Sequence, residues 1–306
     1  MRTTFIKTLE ELAKKNCKIH LLTGDLGFSV FESFINQFPK QYLNAGIAEQ
    51  NMTGVAAGMA IEDKIPIIYS IIPFCTMRNF EQIRNDICYQ NLNVKIVGMG
   101  AGFTYGPYGH THHALEDIGI LRTLPNMTIF SPADSMEVGF VTKEAIKIKG
   151  PVYIRLGRLD KKITWNKNFS LKMGKGRLIR EGKDVTLITT GSMLSTGLEV
   201  CEKLDKKNIA SRLISMHTIK PLDIDIIVES AKKTGGIFTL EEHFLTGGLG
   251  SLVAEVLAEN LIKIPFRRLG VRDHFTRSIG SQEYMRKVNE LSIDQIESSI
   301  LKSIKQ

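Results

Sequence analysis

Two groups of residues in this sequence could do chemistry. The first is an acid, Glu49, in the segment Asn44-Ala-Gly-Ile-Ala-Glu-Gln-Asn51, where the pattern predicts the first turn of a helix over residues 47–61. An acid in a first turn often only balances the helix dipole, for about 0.3–1 kcal/mol. Here Met52 and Val55 belong to an apolar surface around the same turn, and a desolvated carboxylate needs a partner. We therefore expect Glu49 to be buried and paired.

The second group is the run Gly109-His-Thr-His-His113, which places three imidazoles within four residues. Adjacent positions on one chain rarely all point at one ion, and no separate cluster of Cys and His completes a metal site. A surface or packing role stays open. The pattern favours proton transfer or contacts with a polar substrate.

Two glycine-rich segments are weaker candidates for binding a phosphate or another anion. Gly98-Met-Gly-Ala-Gly102 follows a predicted strand but lacks the G-x-G-x-x-G register, so we do not expect dinucleotide binding. Thr246-Gly-Gly-Leu-Gly-Ser251 opens a predicted helix and could hold an anion at the helix N-terminus. A tight turn with close helix packing explains the second segment at least as well.

Charge and composition exclude several classes of protein. The 306 residues include 40 Lys and Arg against 32 Asp and Glu, a net charge of +8, but the lysine pairs are scattered and form no basic tail. We therefore interpret the charge as a solvated surface that can attract anionic small molecules, not as a nucleic-acid site. With 43% hydrophobic and 24% charged residues, the chain is typical of globular proteins and unlike disordered or fibrous ones.

Cysteine usage and hydropathy indicate a soluble protein of the reducing cytoplasm. The four cysteines have neither CxxC nor zinc-like spacing, and so few in a chain of this length do not form a disulfide framework. The first fifteen residues have the pattern of an amphipathic helix and not of a signal peptide. The longest apolar run, residues 65–74, contains two prolines and is far shorter than the ~20 residues of a membrane span.

The elements that must position these residues alternate between strand-like and helix-like patterns, which is typical of an α/β fold with a mainly parallel sheet. Strands are predicted at 19–23, 42–45, 65–72, 94–99, 127–130 and 152–156, with helices between them, including one over 77–90. A second series of strands and helices begins near residue 185. The sequence therefore predicts two doubly wound domains, residues 1–160 and 176–306, joined by a basic, irregular linker over residues 161–175.

Several motifs, in order along the chain, resemble those of the transketolase family. Tyr42-Leu-Asn-Ala-Gly-Ile-Ala-Glu-Gln-Asn-Met-x-Gly-Val-Ala-Ala-Gly58 resembles the family's pyrimidine-binding segment, and Gly109-His-Thr-His-His-Ala-Leu-Glu-Asp117 and Pro151-Val-x-Ile-Arg-Leu-Gly-Arg158 are also similar to its motifs. Glu241-Glu-His-x-x-x-Gly-Gly-Leu-Gly-Ser251 resembles the C-terminal domain shared by transketolases, 1-deoxyxylulose-5-phosphate synthases and beta subunits of 2-oxoacid dehydrogenases. The resemblance covers essentially the whole chain.

The resemblance also implies a partner subunit. A full-length transketolase carries an N-terminal domain whose Gly-Asp-Gly…Asn motif binds Mg²⁺ and the diphosphate of thiamine diphosphate, and this sequence has no Gly-Asp-Gly. The chain is thus similar to the C-terminal subunit of a split transketolase. Its partner would be the N-terminal subunit that supplies the Mg²⁺ ligands, in a heterotetramer with two copies of each chain.

On the cofactor side, the resemblance assigns roles to residues at matching positions. Glu49 matches the glutamate that bonds the pyrimidine ring nitrogen of thiamine diphosphate and so favours the imino tautomer, which removes the thiazolium C2 proton. Phe74 matches the aromatic residue that stacks on the pyrimidine, and Phe80 falls where the family commonly keeps another aromatic. Asp25 and Leu26 match an Asp-Leu pair near the thiazolium.

On the substrate side, His112 matches the active-site histidine of the family's Thr-His-Gln, a polar partner for the donor's hydroxyls and carbonyl. Arg2, Ser29 and Arg158 fall on positions that hold the sugar phosphate in transketolases, a task that suits arginine. Tyr108 and His110 depart from the family's Asp-Gly-Pro-Thr-His-Gln. We count both as substrate contacts that leave the donor's stereochemistry open.

The resemblance implies a subunit of a thiamine-diphosphate-dependent transketolase, which moves a two-carbon ketol unit from a ketose to an aldose. Two alternatives stay open. One is a subunit like 1-deoxyxylulose-5-phosphate synthase or the beta subunit of a 2-oxoacid dehydrogenase, and the other is a regulatory subunit without catalytic activity.

Overall fold

The computed structural model describes residues 1–27, 29–158, 163, 165 and 170–304. It contains two mostly parallel β-sheets with helices packed on them, which confirms the predicted α/β class and its two doubly wound halves. Each sheet has one antiparallel edge strand. Parallel strands need crossover helices on the faces of the sheet, and this requirement explains the alternation of patterns in the sequence.

The first sheet has seven strands in the order β10-β5-β6-β4-β3-β1-β2. Its strands are β1 (Ile19–Thr23), β2 (Tyr42–Asn44), β3 (Ile65–Ile71), β4 (Lys95–Met99), β5 (Thr128–Phe130), β6 (Val152–Leu156) and β10 (Thr218–Lys220). The accompanying helices are α1 (Arg2–Ala13), α2 (Glu32–Gln37), α3 (Glu49–Ile61), α4 (Ile72–Thr76), α5 (Phe80–Gln82), α6 (Asp117–Leu121) and α7 (Ser135–Lys147). Most of these strands were predicted to within one or two residues, because central strands of a parallel sheet are continuous apolar runs.

The second sheet has five strands in the order β12-β11-β8-β9-β7. Its strands are β7 (Arg177–Arg180), β8 (Val185–Thr189), β9 (Ser211–Ser215), β11 (Ile237–Phe244) and β12 (Phe266–Val271). Its helices are α8 (Met193–Asp205), α9 (Ile224–Lys233), α10 (Leu249–Glu259), α11 (Gln282–Val288) and α12 (Ile293–Ser303).

The structure contains elements that the sequence did not predict, among them β7, α2, α11 and α12, and it differs in two further respects. The single helix predicted over 77–90 is instead the short helix α5 followed by a π-helix, Ile83–Cys88. Strand β10, from the second half of the chain, completes the first sheet by pairing antiparallel with β5, so the sheet does not end with the first half. Residues 161, 162, 164 and 166–169 of the predicted linker lie outside the described residues, and the division into 1–160 and 176–306 stays a prediction.

Apolar side chains fill the space between the sheets and their helices. Phe34, Val97, Ile154 and Leu187 are among the side chains with almost no exposed surface. Burying an aliphatic or aromatic side chain of this size contributes about 1.5–3 kcal/mol. Within the described part of the chain, no helix is both long enough and apolar enough to cross a membrane.

Candidate active site

Most of the predicted site residues lie at the carboxyl ends of the strands of the first sheet. Five parallel strands end there, and each is followed by a segment that carries one or more of them: 24–26 after β1, 45–49 after β2, 72–76 after β3, 100–113 after β4 and 157–158 after β6. In open α/β sheets, ligands bind outside the carboxyl ends of the strands. The topology thus brings together residues that are far apart in the sequence.

The carboxylate of Glu49 is buried and paired, as its sequence context predicts. Glu49 is the first residue of α3, and its side chain is 1% exposed. Arg78 Nη1 donates to Glu49 Oε2 at 2.6 Å, and Ser70 Oγ donates to Glu49 Oε1 at 3.4 Å. The side chain of Arg78 is 42% exposed. The guanidinium therefore reaches the buried carboxylate from the open side of the site.

Phe74 contacts both Arg78 and His112. Arg78 Cζ lies 4.3 Å from the centroid of the Phe74 ring. The His112 ring centroid is 5.2 Å away, with the two ring planes at 72°. The planar guanidinium thus stacks on Phe74 while it donates to Glu49. A flat group with N–H donors fits between the aromatic ring and the carboxylate.

His112 belongs to a loop closed at its base by a pair of backbone hydrogen bonds, each 3.0 Å, between Gly102 and Ala114. The ring of Tyr108, itself largely exposed, lies 5.3 Å from that of His112. Partial burial lowers the pKa of His112 from its ordinary value of 6.5. The imidazole is therefore mainly neutral near pH 7 and can accept or donate a hydrogen bond there.

Asn44 ties the turn after β1 to the segment before Glu49. Its side-chain oxygen accepts from the backbone N–H groups of Asp25 and Gly46, each at 3.0 Å, and its Nδ2 donates to Asp25 Oδ1 at 3.0 Å. A Cβ on Gly24 would lie 3.4 Å from Glu49 Oε1. Gly24 therefore lies close to the Glu49 carboxylate, and the predicted cofactor residues Asp25 and Leu26 come directly after it.

The predicted anion residues come from three segments of the chain. Burial raises the pKa of Tyr105, and the positive charge of Arg2 opposes this rise. The backbone N–H of Arg158 donates to Thr104 Oγ1 at 3.4 Å. Ser29, with φ of +59°, lies in the segment after β1. Arg158 thus adjoins the loop through its backbone, while the roles of the three residues in binding an anion stay predictions.

Two predicted site residues lie elsewhere. The ring of His110 contacts Phe275 of the second half of the chain, at 4.4 Å between centroids, and not Phe74. Phe80 packs on the core and, with Arg84 and Tyr89, lines a separate groove of about 690 Å³. Their assigned contacts with substrate and cofactor stay predictions. Among the described residues, no three His, Cys, Asp or Glu side chains come together as a possible metal site.

The helix N-terminus at residues 246–251 holds an anion from the chain itself. The Glu241 carboxylate accepts from the backbone N–H groups of Leu249 and Gly250, each at 2.7 Å. A Cβ on Gly248 would collide with Glu241 Oε2, so the glycine is required for this close approach. Burial raises the pKa of Glu241 to about 7. The alternative of a tight, closely packed turn therefore describes this segment, and the carboxylate takes the place of an external anion.

Comparison with known proteins identifies the family. Residues 1–164 match the model of the transketolase pyrimidine binding domain, and residues 174–295 match that of the transketolase C-terminal domain. The chain belongs to the transketolase family. The pyrimidine-binding domain of this family implies thiamine diphosphate as the cofactor.

Relatives of similar length to this transketolase-family chain are themselves subunits. The 6-deoxy-6-sulfo-D-fructose transketolase subunit SqwH of Clostridium sp. (strain MSTE9) is 38% identical over 297 residues, which cover 97% of this chain and 92% of the relative. An apulose-4-phosphate transketolase subunit of Phocaeicola vulgatus is 37% identical, over 89% of this chain and 87% of the relative. A split gene transketolase, solved as an inactive beta4 tetramer, is 39% identical with a TM-score of 0.87, and the match covers 99% of this chain and 97% of the relative.

The residues present fit the aminopyrimidine of thiamine diphosphate. The Arg78 guanidinium already shows that a planar nitrogen base can stack on Phe74 and reach Glu49 at the same time. Sequence reasoning missed Arg78 and Asn44. Arg78 lies in the segment predicted as a helix over 77–90, and an arginine of a helix packed on a sheet is expected to face solvent. Asn44 lies in the segment that resembles the family's pyrimidine-binding segment, but its side-chain hydrogen bonds depend on the register between β1 and β2.

Proposed function

We propose that this chain is one subunit of a thiamine-diphosphate-dependent transketolase, which transfers a two-carbon ketol unit from a ketose to an aldose. The observation that carries the proposal is the meeting of Glu49, Phe74 and His112 at one edge of the sheet, from three separate elements. A regulatory copy without activity has no physical need for a buried acid beside a stacking aromatic ring.

When bound, thiamine diphosphate supplies a carbon nucleophile that can attack the carbonyl of a ketose. Glu49 would share a proton with the pyrimidine ring nitrogen, and its burial would strengthen that hydrogen bond. Phe74 would stack on the pyrimidine, and Asp25 and Leu26 would lie beside the thiazolium. His112, mainly neutral near pH 7, holds the hydroxyl or carbonyl oxygen of the donor.

We further propose that a substrate carries an anionic group, bound near Arg2, Ser29 and Arg158. The names of two relatives include a sulfonated and a phosphorylated sugar, so both substrates are anionic. Arginine binds sulfonate and phosphate oxygens in similar ways. Tyr108, whose ring lies beside that of His112, is the residue that we propose to recognise the donor's hydroxyl configuration.

The partner we propose is a transketolase N-terminal subunit, which carries the ligands for Mg²⁺ and the diphosphate. An uncovered face of α3 next to the site supports this proposal: a Cβ on Gly54 or Gly58 would meet nothing within 4 Å, and Val55 and Ile61 are exposed beside them. Glycines on a helix face let another backbone approach closely, while exposed apolar side chains favour an interface. We propose a heterotetramer with two copies of each subunit.

We also propose the cytoplasm as the location of the enzyme. All four cysteines are free thiols, with Cys17 exposed and Cys75, Cys88 and Cys201 buried. Free thiols persist where glutathione and thioredoxin keep them reduced.

Reconstitution with the N-terminal subunit tests the proposal. The complex, supplied with thiamine diphosphate and Mg²⁺, should form new sugars from a panel of phosphorylated and sulfonated ketoses and aldoses. Glu49→Gln should reduce turnover by about 10²-fold or more and slow C2 proton exchange of the bound cofactor in parallel. Glu62→Gln, at the exposed end of the same helix, is the matched control. Consumption of pyruvate in place of ketoses would favour the 1-deoxyxylulose-5-phosphate-synthase-like alternative, and a complex without turnover or exchange would favour a regulatory subunit.

A further inference from the structure

The loop that carries Tyr108 and His112 rests on the second half of the chain. Phe103, which follows the Gly102–Ala114 pair at the base of the loop, donates its backbone N–H to Glu242 Oε1 at 2.6 Å. Further along, Gly106 lies so close to Gly280 that a Cβ on Gly106 would collide with the Gly280 carbonyl oxygen. The loop thus follows a fixed path over β11 and the segment before α11.

Glu242 itself is held on several sides. Arg286 donates to Glu242 Oε2 from Nε at 2.9 Å and from Nη2 at 2.6 Å. Gln282 Nε2 lies 3.0 Å from each carboxylate oxygen. Glu242 is 2% exposed, Arg286 7% and Gln282 9%, so the whole group is shielded from water. A buried carboxylate with this many donors has little freedom to move.

Close packing makes the contact with the loop specific. Gly102 has a φ of +61°, and a Cβ there would lie 2.5 Å from Glu242 Cγ. The ring of Phe103 packs edge-on against His113 at 5.2 Å between centroids. Displacement of Phe103 therefore moves the histidine run as well as the start of the loop.

We propose that Glu242, held by Gln282 and Arg286, is a positioning residue for the loop that carries Tyr108 and His112. The second half of the chain thereby sets the geometry of the substrate side of the site, while Glu49 and Phe74, on α3 and α4, hold the cofactor side independently. The inference rests on the proposed transketolase function. A misplacement of about 1 Å in a substrate-binding group can reduce a rate by about 10²-fold.

The variant Glu242→Gln, tested in the reconstituted complex, keeps the side chain's shape and weakens its hold on Arg286. We expect kcat/KM for the ketose donor to fall by about ten- to hundredfold, while the Kd for thiamine diphosphate stays within about twofold of wild type. Glu137→Gln is the matched control: Glu137 is also fully buried and accepts from a backbone N–H, that of Ala133 at 2.7 Å, and from an arginine, Arg177 at 3.1 Å. The control should leave kcat/KM nearly unchanged.

Two further measurements separate positioning from general stability. Backbone hydrogen exchange in residues 103–113 should be faster in Glu242→Gln than in wild type and unchanged in Glu137→Gln. In a double-mutant cycle, the losses of kcat/KM from Glu242→Gln and His112→Asn should be less than additive, because Glu242 acts through the position of the His112 side chain. If Glu242→Gln fails to fold, Gln282→Met removes one donor and leaves the Arg286 contact in place, and it should show the same pattern at smaller amplitude.

The inference is overturned if loop exchange is unchanged, if Glu242→Gln and Glu137→Gln lose kcat/KM equally, or if cofactor affinity falls in parallel. A wild-type complex that turns over no ketose would instead contradict the proposed function. In that case the exchange comparison alone still decides whether Glu242 holds the loop.

Discussion

Arg78 Nη1 and Glu49 Oε2 lie 2.6 Å apart, and the same guanidinium stacks on the ring of Phe74. A pyrimidine that stacks on Phe74 and bonds to Glu49 needs both of these surfaces. We therefore expect a bound pyrimidine to displace Arg78 from Glu49 Oε2 and from the Phe74 ring. The ion pair also keeps a buried acid compensated when no pyrimidine is bound.

Replacing Arg78 should tighten cofactor binding. In the reconstituted complex, Arg78→Met removes the competing cation, and we expect the Kd for thiamine diphosphate to fall by about tenfold, equivalent to about 1.4 kcal/mol. Calorimetric titration with cofactor and Mg²⁺ measures the change. Arg84→Met is the matched control, because Arg84 lies on the π-helix Ile83–Cys88 and donates to its neighbour Asn85, not to Glu49. Unchanged or weaker binding in Arg78→Met would show that the arginine does not compete.

Substitutions at Gly58 should have opposite effects on the isolated chain and on the complex. Because a Cβ at Gly58 meets nothing in this chain, Gly58→Ala should stabilise it by about 0.5–1 kcal/mol through helix propensity. Gly58→Phe should leave the chain folded and abolish association with the N-terminal subunit, measured by analytical ultracentrifugation. Glu11→Phe, on the exposed face of α1, should associate normally. Normal assembly of Gly58→Phe would place the interface elsewhere.

His112 should determine part of the acid side of the pH–rate profile. Burial lowers its pKa below 6.5, so it is neutral at pH 7 and becomes charged only as the pH falls below 6.5. We expect kcat/KM of the wild-type complex to fall in that range, because the cation no longer accepts a hydrogen bond from the donor. His112→Asn should reduce kcat/KM by about 10²-fold at pH 7 and lose this acid limb. His20→Asn, in β1, should keep it, and an unaltered profile in His112→Asn would assign the limb to another group.

His243 should make folding sensitive to acid. Its Nδ1 donates to the Phe244 carbonyl at 2.7 Å, and its Nε2 accepts from the Gly119 N–H at 3.2 Å, which leaves no place for a second proton. Burial lowers its pKa from 6.5 to about 4. Since the unfolded chain takes up this proton first, stability present above pH 6.5 is lost as the pH falls towards 4, by on the order of 3 kcal/mol in total.

Urea unfolding of wild type and His243→Gln at several pH values measures this contribution. Because the pKa of Glu241 is raised to about 7, this residue makes the protein more stable as the pH falls from 7 towards its ordinary pKa. Both proteins contain Glu241, so its effect cancels when the unfolding free energy of His243→Gln is subtracted from that of wild type. The difference in unfolding free energy between wild type and His243→Gln should become smaller as the pH falls. A difference that stays constant with pH would contradict the assignment.

Much of the fold and of the candidate site was predictable from the sequence for local physical reasons. Strands such as β3 and β4 are buried on both faces, so they are mostly apolar runs that stand out without any knowledge of tertiary structure. The burial of Glu49 followed from the apolar residues around one helical turn. The neighbourhood of Glu49, Phe74 and His112 was implied by the resemblance to the transketolase family, and the shared end of the parallel strands explains it.

What the sequence could not show depends on contacts between distant segments. Arg78 and Glu49, and Phe103 and Glu242, are paired only because the folded chain brings their elements together. The anion at the N-terminus of α10 is Glu241, and no local pattern tells an internal carboxylate from a bound one. Strand β10 joins the first sheet only by pairing with β5, which lies almost ninety residues earlier in the chain, and no local pattern reveals that contact.

The pairing of β10 with β5 has a consequence for synthesis on the ribosome. Strand β5 is an edge strand until residues 218–220 emerge, which happens only after β7, β8 and β9 of the second sheet have been made. Its unpaired N–H and C=O groups are meanwhile open to pairing with other nascent chains. The first sheet is therefore complete only late in synthesis. A polypeptide released before residue 220 keeps β5 as an unpaired edge strand, which β10 covers in the finished protein.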